Sequence, residues 1–474
     1  MLETIASINS TLNNFIWGPV MLVLLVGTGV YLTVKNHWLQ IRYFGFIMKS
    51  TVGSLFHKSD AKKDSGNLSP FQAVTTALAG TVGTGNIAGV TGAIFLGGPG
   101  AIFWMWVSAF FGMCTKYAEI ALALHYRCTD ETGAYRGGPM YYIEKGMGKN
   151  WKWLASLFAL MAGFATFGTG NLAQSSEISG AMSGLFGMDP RVTGLLLVVL
   201  SALVILGGSN RIGSVTSYMV PFMSLFYVGA GLLVIALRIE QVPAAFASIL
   251  TSAFSLRAVG GGAMGYGIIL AMRQGFARGV FSNEAGLGSA PMAHASSSAQ
   301  EPAEQAMWGV FEVFNTILIC TITALTILLS GIDLGEAALA GYASNGEAAI
   351  TAFNAILPGS MGGVIIQVSL VFFSFSTILS WSYYGERCWY YLTNGNKVVT
   401  TLYKLFYIGL CFFGATGSSS LMWNIADTLN GMMAIPNLIA LLSLSGVVIR
   451  ITNQYFGLTP AAAEAKTKPA CAKT

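Results

Sequence analysis

The chain has 474 residues, of which 54% are hydrophobic and only 9% charged, with a formal net charge of +5 and a mean hydropathy of +0.63. A water-soluble domain carries roughly 25% charged residues, so this chain has too few to cover a surface that faces water. Its apolar runs reach the roughly 20 residues that a spanning helix needs. They are longer and more continuous than the alternating segments of about 10 residues in a membrane barrel, so the class is an all-α polytopic membrane protein.

In chain order, the apolar segments fall at 15–34, 71–95, 101–125, 152–184, 192–208, 213–237, 262–290, 306–331, 360–391, 401–416 and 428–449, which predicts about 11 transmembrane helices. No Lys or Arg precedes the first segment and no small-residue cleavage site follows it, so it reads as a retained helix rather than a signal peptide. The longest polar stretches are 35–70, 126–151 and 332–358, and the tail 459–474, rich in Ala, Lys and Thr, is expected to be flexible and cytoplasmic.

Lys and Arg set the orientation. One side holds Lys35, Arg42, Lys49, Lys58, Lys62 and Lys63, then Arg127, Arg136, Lys145, Lys149 and Lys152, then Arg211, Arg387, Lys397, Lys404, Arg450, Lys466, Lys468 and Lys473. The other side holds Arg191, Arg238 and Arg257. This asymmetry puts the N-terminus outside and the C-terminus in the cytoplasm, as an odd helix count requires; the expected location is the plasma membrane (a bacterial inner membrane). It also accounts for the net positive charge without a nucleic-acid partner.

Two segments differ from the rest. The second contains Ala79-Gly80-Thr81-Val82-Gly83-Thr84-Gly85-Asn86-Ile87-Ala88-Gly89, and the seventh contains Phe281-Ser282-Asn283-Glu284-Ala285-Gly286-Leu287-Gly288-Ser289-Ala290-Pro291. Each glycine lowers helix stability by about 1 kcal/mol relative to alanine, so these clusters permit the backbone to unwind. Unwinding inside a bilayer is tolerated only where protein or a water-filled cavity surrounds it. It bares amide N–H groups that suit a carboxylate and carbonyls that suit a hard cation. One such segment alone fits close helix packing better than a binding site; two of them, five helices apart and both carrying polar residues, reverse that and point to a transporter binding site. The spacing suggests two inverted repeats, residues 64–240 (helices 2–6) and 255–452 (helices 7–11), with residues 1–35 an extra N-terminal helix.

In the ninth segment, Ser376 and Thr377 are adjacent hydroxyls fit to ligate one cation with a nearby carbonyl. Ser374 and Ser380 fit bonds back to their own helical turn. Trp381, one turn beyond Thr377, fits either a pocket cap or simple packing. Lys116, Glu119, Glu177, Arg273, Arg278, Glu284 and Glu312 lie in or near apolar segments, where charges are rare and usually functional. Mutual pairing and substrate contact both remain open for them. Gly260-Gly261-Gly262-Ala263-Met264-Gly265 matches a dinucleotide fingerprint but lacks a βαβ setting, and no Walker A sequence occurs. The cysteines form no Cys-x-x-Cys pair and the four histidines are far apart, so no zinc site is indicated. No nucleophile or metal motif of an intramembrane enzyme is present. A channel would need a ring of carbonyls or charges, which one asymmetric pair of breaks does not supply.

The chain resembles the alanine or glycine:cation symporters at Ser69-Pro70-Phe71-Gln72-Ala73, at Gly83-Thr84-Gly85-Asn86-Ile87-Ala88-Gly89-Val90, at Gly97-Gly98-Pro99-Gly100-Ala101-Ile102-Phe103-Trp104-Met105-Trp106 and at Ser282–Pro291. The resemblance implies the leucine-transporter fold with a five-plus-five inverted repeat, and secondary transport of small neutral amino acids by alternating access. It implies a substrate site made by Gly83, Thr84, Gly85 and Asn86 of the first break, Gln174 of helix 4, Phe281 and Asn283 of the second break, and Thr377 and Trp381 of helix 9. It implies a Na+ site made by the carbonyls of Ala79, Val82 and Phe373 and the hydroxyls of Ser376 and Thr377. The expected partners are alanine or glycine, co-transported Na+ and the lipid bilayer. Neutral ligands favour Na+ while leaving H+ coupling as the alternative. The oligomeric state is not legible in the sequence.

Overall fold

A computed structural model describes residues 2–56, 67–255, 266–335, 341–342, 344–417 and 419–458. The glycine run 260–265 and the tail 459–474 lie outside these described residues.

The first apolar segment is not one straight helix. Helix α1 (Leu2–Ile16) meets α2 (Pro19–Lys35) at a 41° bend. Pro19 occupies the first position of α2, where its missing N–H is harmless but ends the preceding helix. Short helices α3 (Leu39–Arg42) and α4 (Phe44–Ser50) follow. Helix α5 (Pro70–Thr81) begins with a capping box: Ser69 accepts from the Gln72 amide while the Gln72 side chain accepts from the Ser69 amide. After a break, α6 (Ala88–Gly97) continues the same segment at a 54° angle.

Helix α7 (Gly100–His125) is buried along most of its length. The polar stretch after it holds a two-stranded hairpin, β1 (Cys128–Thr129) with β2 (Tyr135–Arg136), and helix α8 (Pro139–Gly146). The fourth segment comprises α9 (Lys152–Phe167), a π-turn at Gly168–Leu172 and α10 (Ala173–Phe186). Then come α11 (Pro190–Ile205), α12 (Gly208–Leu237) and α13 (Val242–Ala253). The second broken segment is α14 (Tyr266–Asn283), an irregular run, and the short α15 (Pro291–Ala295).

Helix α16 (Pro302–Leu329) is followed by α17 (Asn345–Asn354), which lies inside the expected polar stretch 332–358. Ser344 caps α17 by accepting from the Glu347 amide, a Ser-x-x-Glu start that a reading by hydropathy passes over. The long α18 (Met361–Leu392), α19 (Lys397–Thr416), α20 (Ser419–Ser443) and α21 (Ser445–Tyr455) complete the chain.

Among the described residues, seven helices are long and apolar enough to cross a membrane, or nine if each bent pair is one span. Helix α11 is apolar but only 16 residues long, and the seventh expected segment is cut at Asn283. Two groups of helices pack internally: α5–α6, α7, α14 and α16 in one, and α9–α10, α11, α18 and α19 in the other. Helix α12 leans on both, and α20 packs against α9, the π-turn and α1. Large apolar side chains point outward from α11 and α12, among them Leu195, Val199, Leu203, Tyr218 and Leu225, as lipid-facing helices require. Both broken segments lie in the interior, on the seam between the two groups.

Candidate functional site

The first break begins where Val82 makes the last helical bond of α5, to the Leu78 carbonyl at 2.6 Å. Gly83 is extended (φ −135°), a single tight turn covers Thr84–Asn86, and α6 resumes at Ala88. Asn86 holds the turn by accepting the Gly83 amide at 3.2 Å on Oδ1. Its Nδ2 is left buried with no hydrogen-bond partner among the described residues. Thr323 of α16 donates to the Asn86 carbonyl at 2.8 Å. Thr84 Oγ1 donates to Gln174 Oε1 at 3.0 Å, and Gln174 Nε2 donates to the Thr169 carbonyl at 3.0 Å. Thr169 lies in the π-turn, where the backbone ladder lengthens so that the Ala173 amide bonds to the Gly168 carbonyl, five residues back.

Helix α18 brings its hydroxyls against the end of α5. Thr377 Oγ1 stands 3.0 Å from the Ala79 carbonyl and 2.9 Å from the Phe373 carbonyl. Ser376 Oγ stands 3.3 Å and 2.9 Å from the same two oxygens. Four neutral oxygens from Ala79, Phe373, Ser376 and Thr377 therefore meet in the buried interior, with Val82 one turn beyond Ala79 at the break. Each hydroxyl has one hydrogen but two lone pairs, so the set retains capacity for a hard cation. A Cβ on Gly83 would lie 2.6 Å from Thr377 Oγ1, so the close approach of the two elements requires glycine there.

The other predicted residues divide. Phe281 joins the first break: a Cβ on Gly85 would lie 2.8 Å from its ring. On its other side Phe281 packs on Trp423 of α20, centroids 4.9 Å apart. Trp381 fits against the π-turn, where a Cβ on Gly170 would lie 2.2 Å from the Trp381 Cβ. Asn283 is not brought to this group. Its Oδ1 accepts the Ala285 amide at 2.9 Å, capping its own break, and its amide faces Gly112 on α7. Ser380 does not bond back to its own turn but donates to the Thr76 carbonyl of α5 at 2.6 Å. The Ser374 hydroxyl has no hydrogen-bond partner among the described residues.

The second break is held by charges. Lys116 Nζ donates to the Asn283 carbonyl at 3.0 Å, at the C-terminal end of α14, and sits 3.8 Å from Glu312. Glu312 in turn meets His294, whose other ring nitrogen meets Gln305 at 2.8 Å. Glu119 Oε1 accepts the amides of Gly286 and Gly288 at 3.1 and 3.0 Å, and also Asn437 Nδ2. An ammonium at a helix C-terminus and a carboxylate on bare amides each match the local dipole. Toward the other end of α14, Arg278 pairs with Asp427 of α20 at 2.8 and 2.9 Å, and Arg273 donates to Asn14 of α1 at 2.7 Å. Glu177 accepts from Trp423 Nε1 at 2.8 Å.

Trp423, Asp427 and Asn430 of α20 were not singled out from the sequence. Asn430 accepts from Thr169 at 3.0 Å, and its buried Nδ2 has no partner among the described residues. The available signal was weak: a polar stripe at 423, 427 and 430 on an otherwise apolar helix.

The profile of the sodium:alanine symporter family matches residues 2–469. The chain is 48% identical to the sodium/alanine symporter AgcS of Methanococcus maripaludis, over 95% of this chain and 97% of that protein. It is 35% identical to a Bacillus subtilis protein described as "Probable sodium/glutamine symporter GlnT", over 94% of this chain and 89% of that protein. Among solved structures, MhsT in complex with L-phenylalanine aligns with a TM-score of 0.53 at 12% identity, covering 82% of this chain and 99% of that one. That likeness shows the fold alone, and it is the leucine-transporter fold that the sequence resemblance implied. Profile and relatives agree over nearly the whole length: the chain is a multi-pass membrane transporter that belongs to the sodium:alanine symporter family.

Proposed function

We propose that the protein imports alanine, and glycine, together with Na+ by alternating access. The observation that carries this reading is the meeting of the Ala79 and Phe373 carbonyls with the Ser376 and Thr377 hydroxyls beside an unwound segment. In this reading Na+ binds these oxygens and the Val82 carbonyl. The substrate carboxylate binds the first break at Gly83, Thr84, Gly85 and Asn86, with Gln174, Phe281, Thr377 and Trp381 around it. The free Asn86 Nδ2 supplies a donor for the carboxylate, and Asn283 serves the second break instead. Close packing at Gly85 against Phe281 and at Gly170 against Trp381 favours a methyl or hydrogen side chain over one as long as glutamine. Residues 1–35, 64–240 and 255–452 form the extra helix and two inverted repeats of an eleven-helix plasma-membrane protein. The N-terminus is outside and the C-terminus cytoplasmic.

The test is uptake of labelled alanine into proteoliposomes under an inward Na+ gradient and under an equal K+ gradient. Accumulation with Na+ only is expected. Accumulation driven instead by an imposed pH gradient, without Na+, would keep the transporter and remove the Na+ site. No alanine uptake under either gradient, with uptake of glutamine under Na+, would overturn the substrate.

A further inference from the structure

We propose that Glu284 is a positioning residue that links the cation to the wall of the substrate pocket; this rests on the reading that the oxygens around Ala79 and Thr377 hold Na+. Glu284 sits in the second break with φ +55°, a left-handed conformation that a non-glycine residue adopts infrequently. Glycines at 286 and 288 adopt positive φ nearby. A residue with a side chain at 284 is therefore held there against backbone preference, and its contacts show what the side chain does. Oε1 accepts the Trp381 indole N–H at 2.9 Å, and Oε2 accepts Ser289 Oγ. Gly80 makes room for it: a Cβ there would lie 3.3 Å from Glu284 Oε1 and 3.1 Å from both Ser380 Oγ and the Tyr384 hydroxyl.

These contacts place the carboxylate beside residues that adjoin both halves of the proposed cation site. Gly80 follows Ala79 in α5, and Ser380 and Trp381 lie one turn beyond Ser376 and Thr377 in α18. The proposed ligands are all neutral, so a bound cation leaves a full buried charge, and a carboxylate nearby lowers its energy over a distance that water would screen. Neighbouring carboxylates are engaged elsewhere: Glu312 with Lys116 and His294, Glu119 with the Gly286 and Gly288 amides, Asp427 with Arg278 and Glu177 with Trp423. The Lys116 ammonium lies between Glu312 and the carbonyl of Asn283, the residue before Glu284, so its charge is shared between the two carboxylates. When Na+ arrives, Glu284 is drawn to it while still holding the Trp381 indole. The cation thereby fixes a wall of the pocket, and by linkage the substrate strengthens cation binding equally.

The experiment uses purified full-length protein in detergent. Na+ binding is followed without alanine by a Na+-dependent thermal shift, and labelled-alanine binding is followed with and without Na+. If Na+ has no effect on alanine binding to the unmodified protein, the Na+ reading itself fails, separately from Glu284. Where Na+ dependence holds, E284Q is expected to raise the Na+ half-saturation about tenfold or more through loss of one charge. Alanine affinity without Na+ should change less than about threefold while the factor by which Na+ raises it shrinks, and E284D should recover part of the Na+ affinity. W381F keeps an aromatic ring but lacks the N–H; it should leave Na+ half-saturation unchanged and shrink the factor by which Na+ raises alanine affinity. Na+ half-saturation of E284Q within about twofold of the unmodified protein, or full coupling in W381F, overturns the proposal. Should E284Q fail to fold, W381F and E284D decide it.

Discussion

Gly83 works by what it lacks. A methyl there would come within 2.6 Å of Thr377 Oγ1, and Thr377 cannot yield without releasing the Ala79 and Phe373 carbonyls that it meets at 3.0 and 2.9 Å. Gly83→Ala is therefore expected to lower Na+ affinity about tenfold or more, equivalent to losing roughly one charge-assisted contact, read as the Na+ concentration for half-maximal alanine uptake. Gly180→Ala is the matched control: the site is helical with nothing within 4 Å of a new Cβ, so uptake should persist and stability rise by up to about 1 kcal/mol. An unchanged Na+ requirement in Gly83→Ala would remove Thr377 from the cation site. For single residues the sequence showed chemical type but not facing. Ser376 and Thr377 are adjacent hydroxyls one turn from a carbonyl, and adjacency alone suggested a shared ion. Ser380 is equally a helical serine, yet it bonds across to Thr76, because the choice of partner depends on which helix lies alongside. Asn283 looked like pocket chemistry, but the irregular run after α14 needs a cap for its own Ala285 amide.

Among the helices, the two broken segments were legible because clustered glycines and polar residues weaken a helix where lipid would otherwise enforce one. The 41° bend between α1 and α2, the π-turn at Gly168–Leu172 and the helix Asn345–Asn354 were not. Each depends on one proline, one extra residue per turn or one cap, which hydropathy averages away. What stabilises the second break also came only from geometry: α7 staples it with Lys116 on the Asn283 carbonyl and Glu119 on the Gly286 and Gly288 amides. Lys116→Met leaves Glu312 and that carbonyl buried without their cation, and breaking a buried pair typically costs about 3–5 kcal/mol. Its Tm in detergent should fall clearly. Adding Glu312→Gln to Lys116→Met should restore part of the loss, because the remaining uncompensated charge is gone. Additive losses in the double variant would show that the two residues do not act as a pair.

Two packed groups of helices are joined along a seam, and the proposed transport cycle requires that seam to open at one end at a time. Polar links cross it at several levels: Arg278 to Asp427, Thr84 to Gln174, Ser376 and Thr377 to Ala79, Glu284 to Trp381, and Ser380 to Thr76. In the proposed orientation the Arg278–Asp427 pair and the Phe281–Trp423 ring contact lie on the outer side of the cation site. Asn14 of α1 accepts from Arg273 of α14, and the Trp17 indole, in the bend between α1 and α2, donates to the Asp427 carbonyl at 2.9 Å, so the N-terminal segment touches both helices that carry the pair. The Arg278 and Asp427 side chains are 15% and 14% exposed, so the pair is mostly buried but keeps an edge toward water, and a cycle that opens the seam here has to separate it. Replacing both with cysteine and joining them by a short, reversible bifunctional thiol reagent should therefore stop alanine uptake while leaving the Na+-dependent thermal shift intact, and cleaving the link should restore uptake. The unlinked pair of cysteines should instead transport, with an alanine half-saturation changed by less than about tenfold, because both charges are removed together. Uptake that continues through the closed link would mean that the substrate enters by another route and that the seam does not open at Arg278 and Asp427.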